Sequence, residues 1–151
     1  ASGQDRLLVL IDYTKPSTEK RFYILDLLQK KLLLSTYVAH GRGSGDNYAV
    51  AFSNRPGSYQ SSLGFFRTGD TYMGKNGYSL FLDGLEKGIN DKARERAIVV
   101  HGANYADPAV LKGQQRLGRS LGCPALPPDI SKQVIDTIKG VLLYIYGLNK
   151  A

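Results

Sequence analysis

Apolar positions in this chain fall into short continuous runs far more often than into helical stripes. From Arg6 to Tyr13 the sequence RLLVLIDY is an apolar run stopped by Lys15-Pro16-Ser17, the pattern of a buried strand entering a turn. Arg21 to Leu28 and Leu32 to Ala39 are two more β-like runs, and Gln29-Lys30-Lys31 between them is short enough for a hairpin. Gly41 to Asn47 (GRGSGDN) and Ser53 to Ser62, with Pro56-Gly57 and four serines, predict loop or irregular strand. Ordered loops of that length are usually functional. Asn76-Gly77, between Thr71-Tyr72-Met73 and the run from Tyr78 to Leu82, predicts a hairpin closed by the positive φ angles of a type I′ turn. Ala97 to Val100 is a fully apolar strand that delivers His101-Gly102 at its end. After Pro127-Pro128-Asp129, the residues Ile130, Val134, Ile135 and Ile138 share one helical face, with Asp129 or Ser131 expected as cap and Gly140 as stop. Val141 to Tyr146 reads as a last core strand. Many strands, one clear helix in the C-terminal region and no repeat or linker predict a single domain over residues 1–151, a β-rich α+β or sandwich-like fold with long loops.

Composition narrows the classes. With 151 residues, 42% hydrophobic and 22% charged, the chain has the balance of one globular domain, which excludes disorder, collagen and coiled coil. A domain of this size buries about 70% of the surface its unfolded chain exposes. The aliphatic stretch from Leu7 to Ile11 is far short of the ~20 residues that cross a bilayer. The opening Ala1-Ser2-Gly3, without methionine or an apolar leader, fits a processed or trimmed chain whose signal peptide was lost upstream. A net charge of +7 favours an anionic partner, but the basic residues are scattered and no run of five marks a nucleic-acid tail. The single cysteine, Cys123, excludes an internal disulfide, and with only His40 and His101 beside it a thiolate-rich zinc site cannot be assembled. No cofactor is called for.

The scarce reactive side chains concentrate in His101-Gly102-Ala103-Asn104 and in the stretch from Arg116 to Leu126, RLGRSLGCPAL. A thiol is only a few per cent thiolate at neutral pH, so a cysteine nucleophile needs an imidazole or positive charge nearby, and His101 is one of two candidate bases. Gly118 and Gly122 permit a tight turn, while Pro124 holds Cys123 to extended angles outside a helix. Because Pro124 has no N–H, oxyanion donors must come from the amides of Leu121, Gly122 or Cys123, with the Ser120 hydroxyl as a supplement. The bland alternative is a buried small cysteine and a histidine that merely ends a strand. Gly41-Arg42-Gly43-Ser44-Gly45 misses a dinucleotide fingerprint, and Gly74-Lys75 lacks the Ser or Thr of a phosphate loop. His40 reads as a loop histidine bonded to backbone, and Asp83 and Glu86 as turn and surface carboxylates.

His-Gly at the end of an apolar strand, followed 22 positions later by the cysteine of an S-x-G-C turn, resembles the active-site signature of the YkuD-type L,D-transpeptidases of bacterial cell walls. Ser61-Ser62-Leu63-Gly64-Phe65-Phe66 is similar to that family's upstream segment, and the chain from Leu8 to Tyr146 looks most like the murein L,D-transpeptidase catalytic-domain branch. The resemblance implies a YkuD-like β-sandwich with Cys123 as nucleophile, His101 as general base, a backbone carbonyl around Gly102 orienting the histidine, and Ser120 and Gly122 shaping the site. It implies a carbapenem-susceptible enzyme that acts on peptidoglycan stem peptides outside the cytoplasmic membrane, a monomer with no nucleic-acid partner. In the commoner form of the family a histidine precedes the Gly-Cys pair and an Arg or Asn follows shortly after, where this chain has Leu121 and Ala125. Arg116 and Arg119 are candidate replacements for binding the substrate carboxylate, and Asn104 and Tyr105 candidate pocket residues, with Tyr59 and Tyr72 no better distinguished. An L,D-carboxypeptidase with the same residues, a non-catalytic wall-binding module and a basic, tyrosine-rich nucleic-acid binder are the competing readings.

Overall fold

The computed structural model describes residues 4–150, so the opening Ala1-Ser2-Gly3 lies outside the described residues. Eight strands, β1 (Leu7–Asp12), β2 (Phe22–Asp26), β3 (Lys31–Thr36), β4 (Gly64–Gly74), β5 (Gly77–Gly84), β6 (Val99–Gly102), β7 (Ala125–Leu126) and β8 (Leu142–Tyr146), form one sheet. Their order is β3-β2-β1-β8-β4-β5-β6-β7. The β1–β8 and β6–β7 pairs are parallel and the others antiparallel. Isolated bridges from Ala39 to Ala125 and from Gly41 to Ser120 tie the chain beyond β3 to the β7 end, so the curled sheet nearly closes on itself. The last run of apolar residues thus lies between β1 and β4 and joins the two halves. Inside lie Ile11, Phe22, Phe66, Leu80, Leu82 and Leu143, all fully buried.

Helix α1 (Pro128–Thr137) lays Val134, Ile135 and the following Ile138 into this core and packs on β5 and β6. Its start differs from the expectation: the N-cap is Pro127 and no side chain caps it. Asp129 sits within the first turn, where its negative charge is favourable at the positive end of the helix, and Ser131 Oγ donates to the Pro128 carbonyl instead. Gly140, at φ +70°, follows the helix.

Both hairpins form, with shifted turns. Between β2 and β3 the turn residues are Leu27 to Lys30, held by Asp26 Oδ1, which accepts from the amides of Leu28 and Gln29, and Lys31 already belongs to β3. In the β4–β5 hairpin Gly77 alone of the Asn-Gly pair has positive φ, +84°, so the turn is not type I′. Strand β4 starts at Gly64, well before Thr71. Its register slips between Thr68 and Thr71, and Gly69 and Asp70 at the slip hide the strand from an apolar-run reading. Strand β7 has only two residues, too few to leave a pattern.

Candidate active site

Parallel pairing of β6 with β7 sets His101 opposite Ala125, and the His101 amide donates to the Pro124 carbonyl at 3.4 Å. Residues 23 and 24 positions apart in sequence thereby become neighbours. Both His101 and Cys123 line one cleft of about 250 Å³, with Tyr105, Ser120, Leu121, Arg119, Arg42, Lys75 and Asn76. The residues Cys123 and His101 are 7% and 3% exposed. Cys123 Sγ accepts from the Val99 amide at 3.4 Å and donates to the Ala97 carbonyl at 3.5 Å, and no hydrogen bond joins it to His101. Burial pushes the thiol above its ordinary pKa, opposed by the Val99 N–H and the charges of Arg96 and Lys75. His101 Nδ1 lies 2.9 Å from the Gly102 carbonyl. A carbonyl only accepts, so Nδ1 carries the proton and Nε2 keeps its lone pair. Burial holds the imidazole below the usual histidine pKa, partly offset by that bond.

The turn before the thiol is built from small residues under tight constraint. Gly122 has φ +129°, and a Cβ there would meet Ile98 Cδ1 at 2.9 Å and the Gln60 carbonyl at 3.1 Å. Only glycine fits both requirements. Ser120 Oγ donates to the Cys123 carbonyl at 2.6 Å and accepts from the Gly122 amide at 3.1 Å. Its proton and the Gly122 N–H are therefore committed within the turn. The amides of Leu121 and Cys123 make no hydrogen bond among the described residues, which leaves these two N–H groups uncommitted in the turn. The turn is moored from outside by the Arg42 amide, which donates to the Ser120 carbonyl, and by the Ser120 amide, which donates to that of His40.

Of the other sequence candidates, Tyr105 does line the cleft, its hydroxyl pushed up to about 12 by burial. Gly102 packs against α1, where a Cβ would lie 2.4 Å from Ser131 Oγ. Arg119 lines the cleft but is paired with Asp46 at 3.1 Å. Arg116 and Asn104 are not among the lining residues; the Arg116 guanidinium turns back to the Leu117 carbonyl. Tyr59 also lies outside the lining, and Tyr72 stacks on Phe81 with ring centroids 4.3 Å apart. His40 is buried, its Nε2–H donating to the Gly45 carbonyl at 3.1 Å while Nδ1 accepts from Arg21 at 2.9 Å. Asp83 is tied to Arg94. Sequence reasoning missed Arg42, Lys75 and Asn76 at the cleft and Arg96 behind it. The signal for the first three lay in two glycine-bearing segments, Gly41 to Gly45 and Gly74 to Gly77, whose wording fits a phosphate or dinucleotide loop poorly and, for Asn76-Gly77, speaks for a hairpin turn. Both contribute residues to the lining of the cleft. Among the described residues no three of His, Cys, Asp and Glu cluster as metal ligands, and no helix is long and apolar enough to cross a membrane.

Residues 1–146 match the L,D-transpeptidase catalytic-domain family, YkuD_2. The chain belongs to this family. No curated protein matches the sequence. Solved structures with the same fold include an LD transpeptidase, LdtMt1, in complex with imipenem (14% identity, TM-score 0.54, covering 94% of this chain and 59% of that one). Another is the helical cell shape determining protein Pgp2 from Campylobacter jejuni (16%, TM-score 0.60, 95% and 48%). A third is an L,D-transpeptidase from Stackebrandtia nassauensis (14%, TM-score 0.57, 97% and 58%). The chain spans about half to three-fifths of their lengths. Within this L,D-transpeptidase domain the departures from the commoner motif have a structural reading. Leu121 is exposed at the cleft, whereas Ala125 is fully buried against Ala39 and Ala106. An arginine at position 125 has no room.

Proposed function

We propose that the chain is a cysteine L,D-transpeptidase of the bacterial cell envelope, a monomeric catalytic unit that joins peptidoglycan stem peptides through a thioester. The observation that carries this reading is that Cys123 and His101 open on one cleft with the imidazole held by Gly102 in the tautomer that accepts a proton. Burial raises the thiol and lowers the imidazole, which supports a neutral resting pair and proton transfer in step with attack. Cys123 Sγ turns from the Ala97 carbonyl into the cleft, gives its proton to His101 Nε2 and attacks the carbonyl between the L-centre of the diamino acid and the terminal D-alanine. The amides of Leu121 and Cys123 meet the developing oxyanion. As the C–N bond breaks, His101 returns the proton to the departing D-alanine amine. The amine of a second stem peptide then attacks the thioester, its surplus proton passes to His101, and the thiol is restored. Water in that place gives the carboxypeptidase outcome.

Substrate carboxylates are met by Arg42 and Lys75, whose side chains line the cleft without a carboxylate partner among the described residues. No Asp or Glu lines the cleft. This takes over the part left empty by Ala125. The test is intact-mass measurement after incubation with imipenem: one adduct on the wild type and none on Cys123→Ala. Absence of an adduct together with no alkylation of Cys123 by iodoacetamide refutes the reading. Tetrapeptide monomers then separate the two outcomes, cross-linked dimers for transfer and shortened tripeptides alone for hydrolysis.

A further inference from the structure

Arg96 stands behind the Gly122-Cys123 turn, on the segment that leads into β6. Its Nη1 donates to the Ser53 carbonyl at 2.9 Å and Ser62 Oγ at 2.8 Å, and its Nη2 to the Gln60 carbonyl at 2.7 Å and Ser58 Oγ at 3.2 Å. All four acceptors are neutral, all belong to the loop over residues 53–62, and no carboxylate among the described residues pairs with the guanidinium. The loop in turn grips the active-site turn: Ser61 Oγ accepts from the Gly41 amide at 3.0 Å and donates to the Gly122 carbonyl at 3.4 Å. Contact is so close that a Cβ on Gly122 would lie 3.3 Å from Arg96 Nη2. From the same segment, the Ala97 carbonyl and the Val99 amide meet Cys123 Sγ.

A guanidinium bonded only to neutral groups keeps its full charge, and a half-buried one is poorly screened by water. The other titratable groups facing the thiol do not replace it. His101 is held neutral by burial, and the hydroxyls of Tyr13 and Tyr105 are both pushed up to about 12. Lys75 and Arg42 are exposed at the cleft, and Arg119 is occupied by Asp46. We infer that Arg96 is a positioning residue for the nucleophile, pinning loop 53–62 behind the Gly122-Cys123 turn and supplying the fixed positive charge against which the Cys123 thiolate forms. This rests on the reading of Cys123 as the nucleophile, and goes beyond it by naming what supports the sulfur.

The experiment is the pH profile of iodoacetamide alkylation of Cys123 in the wild type, Arg96→Gln and Arg96→Lys, each confirmed folded by its circular dichroism melt. Loss of the charge in Arg96→Gln raises the midpoint by about one pH unit, a tenfold fall in the thiolate-to-thiol ratio at any pH below it. Arg96→Lys keeps a charge without the fork and holds the midpoint near the wild-type value, while proteolysis between residues 53 and 62 speeds up in both variants. Midpoints unchanged in Arg96→Gln, or raised equally in both variants, overturn the electrostatic role, and unchanged proteolysis overturns the clasp. A wild type that reacts with neither iodoacetamide nor imipenem overturns the nucleophile reading itself, a result distinct from a reactive wild type with indifferent variants.

Discussion

Replacing Ser120 by alanine removes two hydrogen bonds from the turn that carries the sulfur. The hydroxyl donates to the Cys123 carbonyl and accepts from the Gly122 amide, and Ser120 is 4% exposed, so bulk water does not take its place. Each buried group left unpaired costs about 1–3 kcal/mol, and two of them sharing one loosened turn cost about 3 kcal/mol together. That is a large fraction of the 5–15 kcal/mol that holds a typical domain folded, and corresponds to a fall in Tm of roughly 6–12 °C for a chain of this size. Function suffers separately, because the two hydroxyl bonds set where the sulfur and the Cys123 amide point. A misplacement approaching 1 Å lowers a reaction rate by as much as about a hundredfold, so acylation by imipenem is expected to slow about 10- to 100-fold. Urea unfolding and the rate of adduct formation by mass spectrometry give the two numbers. Thr137→Ala, which removes an exposed helix hydroxyl bonded to Gln133, serves as the control and changes stability by no more than about 0.5 kcal/mol. A Ser120→Ala protein as stable as this control, acylated at the wild-type rate, refutes the account of the turn.

Three other outcomes follow from the same geometry. His40 is buried with its pKa pushed down to about 4, chiefly by desolvation and then by Arg21, so the unfolded chain, near 6.5, takes up the proton first. The stability this neutral histidine contributes is whole above pH 6.5 and lost as pH falls toward 4, about 3 kcal/mol in all; urea titrations at the two ends show it, and His40→Gln flattens the dependence by that amount. For His101 the direction is the same, so the acid limb of the acylation rate has its midpoint below the ordinary imidazole value of about 6.5; a midpoint at or above 7 contradicts the assignment of the base. Arg42→Ala and Lys75→Ala each raise KM for a donor peptide about 3- to 10-fold with little change in kcat, and a donor with its carboxylates amidated shows no such sensitivity. Equal losses on both donors count against carboxylate binding there.

What the sequence by itself determined is what local chemistry repeats along a chain. Apolar runs at Leu7 to Ile11 and Leu142 to Tyr146 marked strands because alternate side chains enter the core while most of those between them stay half-covered, and the spacing of Val134, Ile135 and Ile138 marked a helix face because 3.6 residues make a turn. The His101-Gly102 and Ser120-to-Cys123 wording was legible because each constraint acts within a few covalent neighbours: a carbonyl beside its own imidazole, a serine reaching two residues ahead. Tertiary structure alone decided which charges surround the sulfur. Arg116 and Arg119 are three residues apart, yet only the second reaches the cleft; Arg42, Lys75 and Arg96 come from three separate segments with no common spacing. Nor does the sequence reveal that position 125 is sealed between alanines, or that β4 continues through its slip at Gly69 and Asp70. Periodicity records how a residue stands relative to its own backbone, whereas a charge finds its partners only when distant loops close over the same sheet end, and that closure leaves no local pattern.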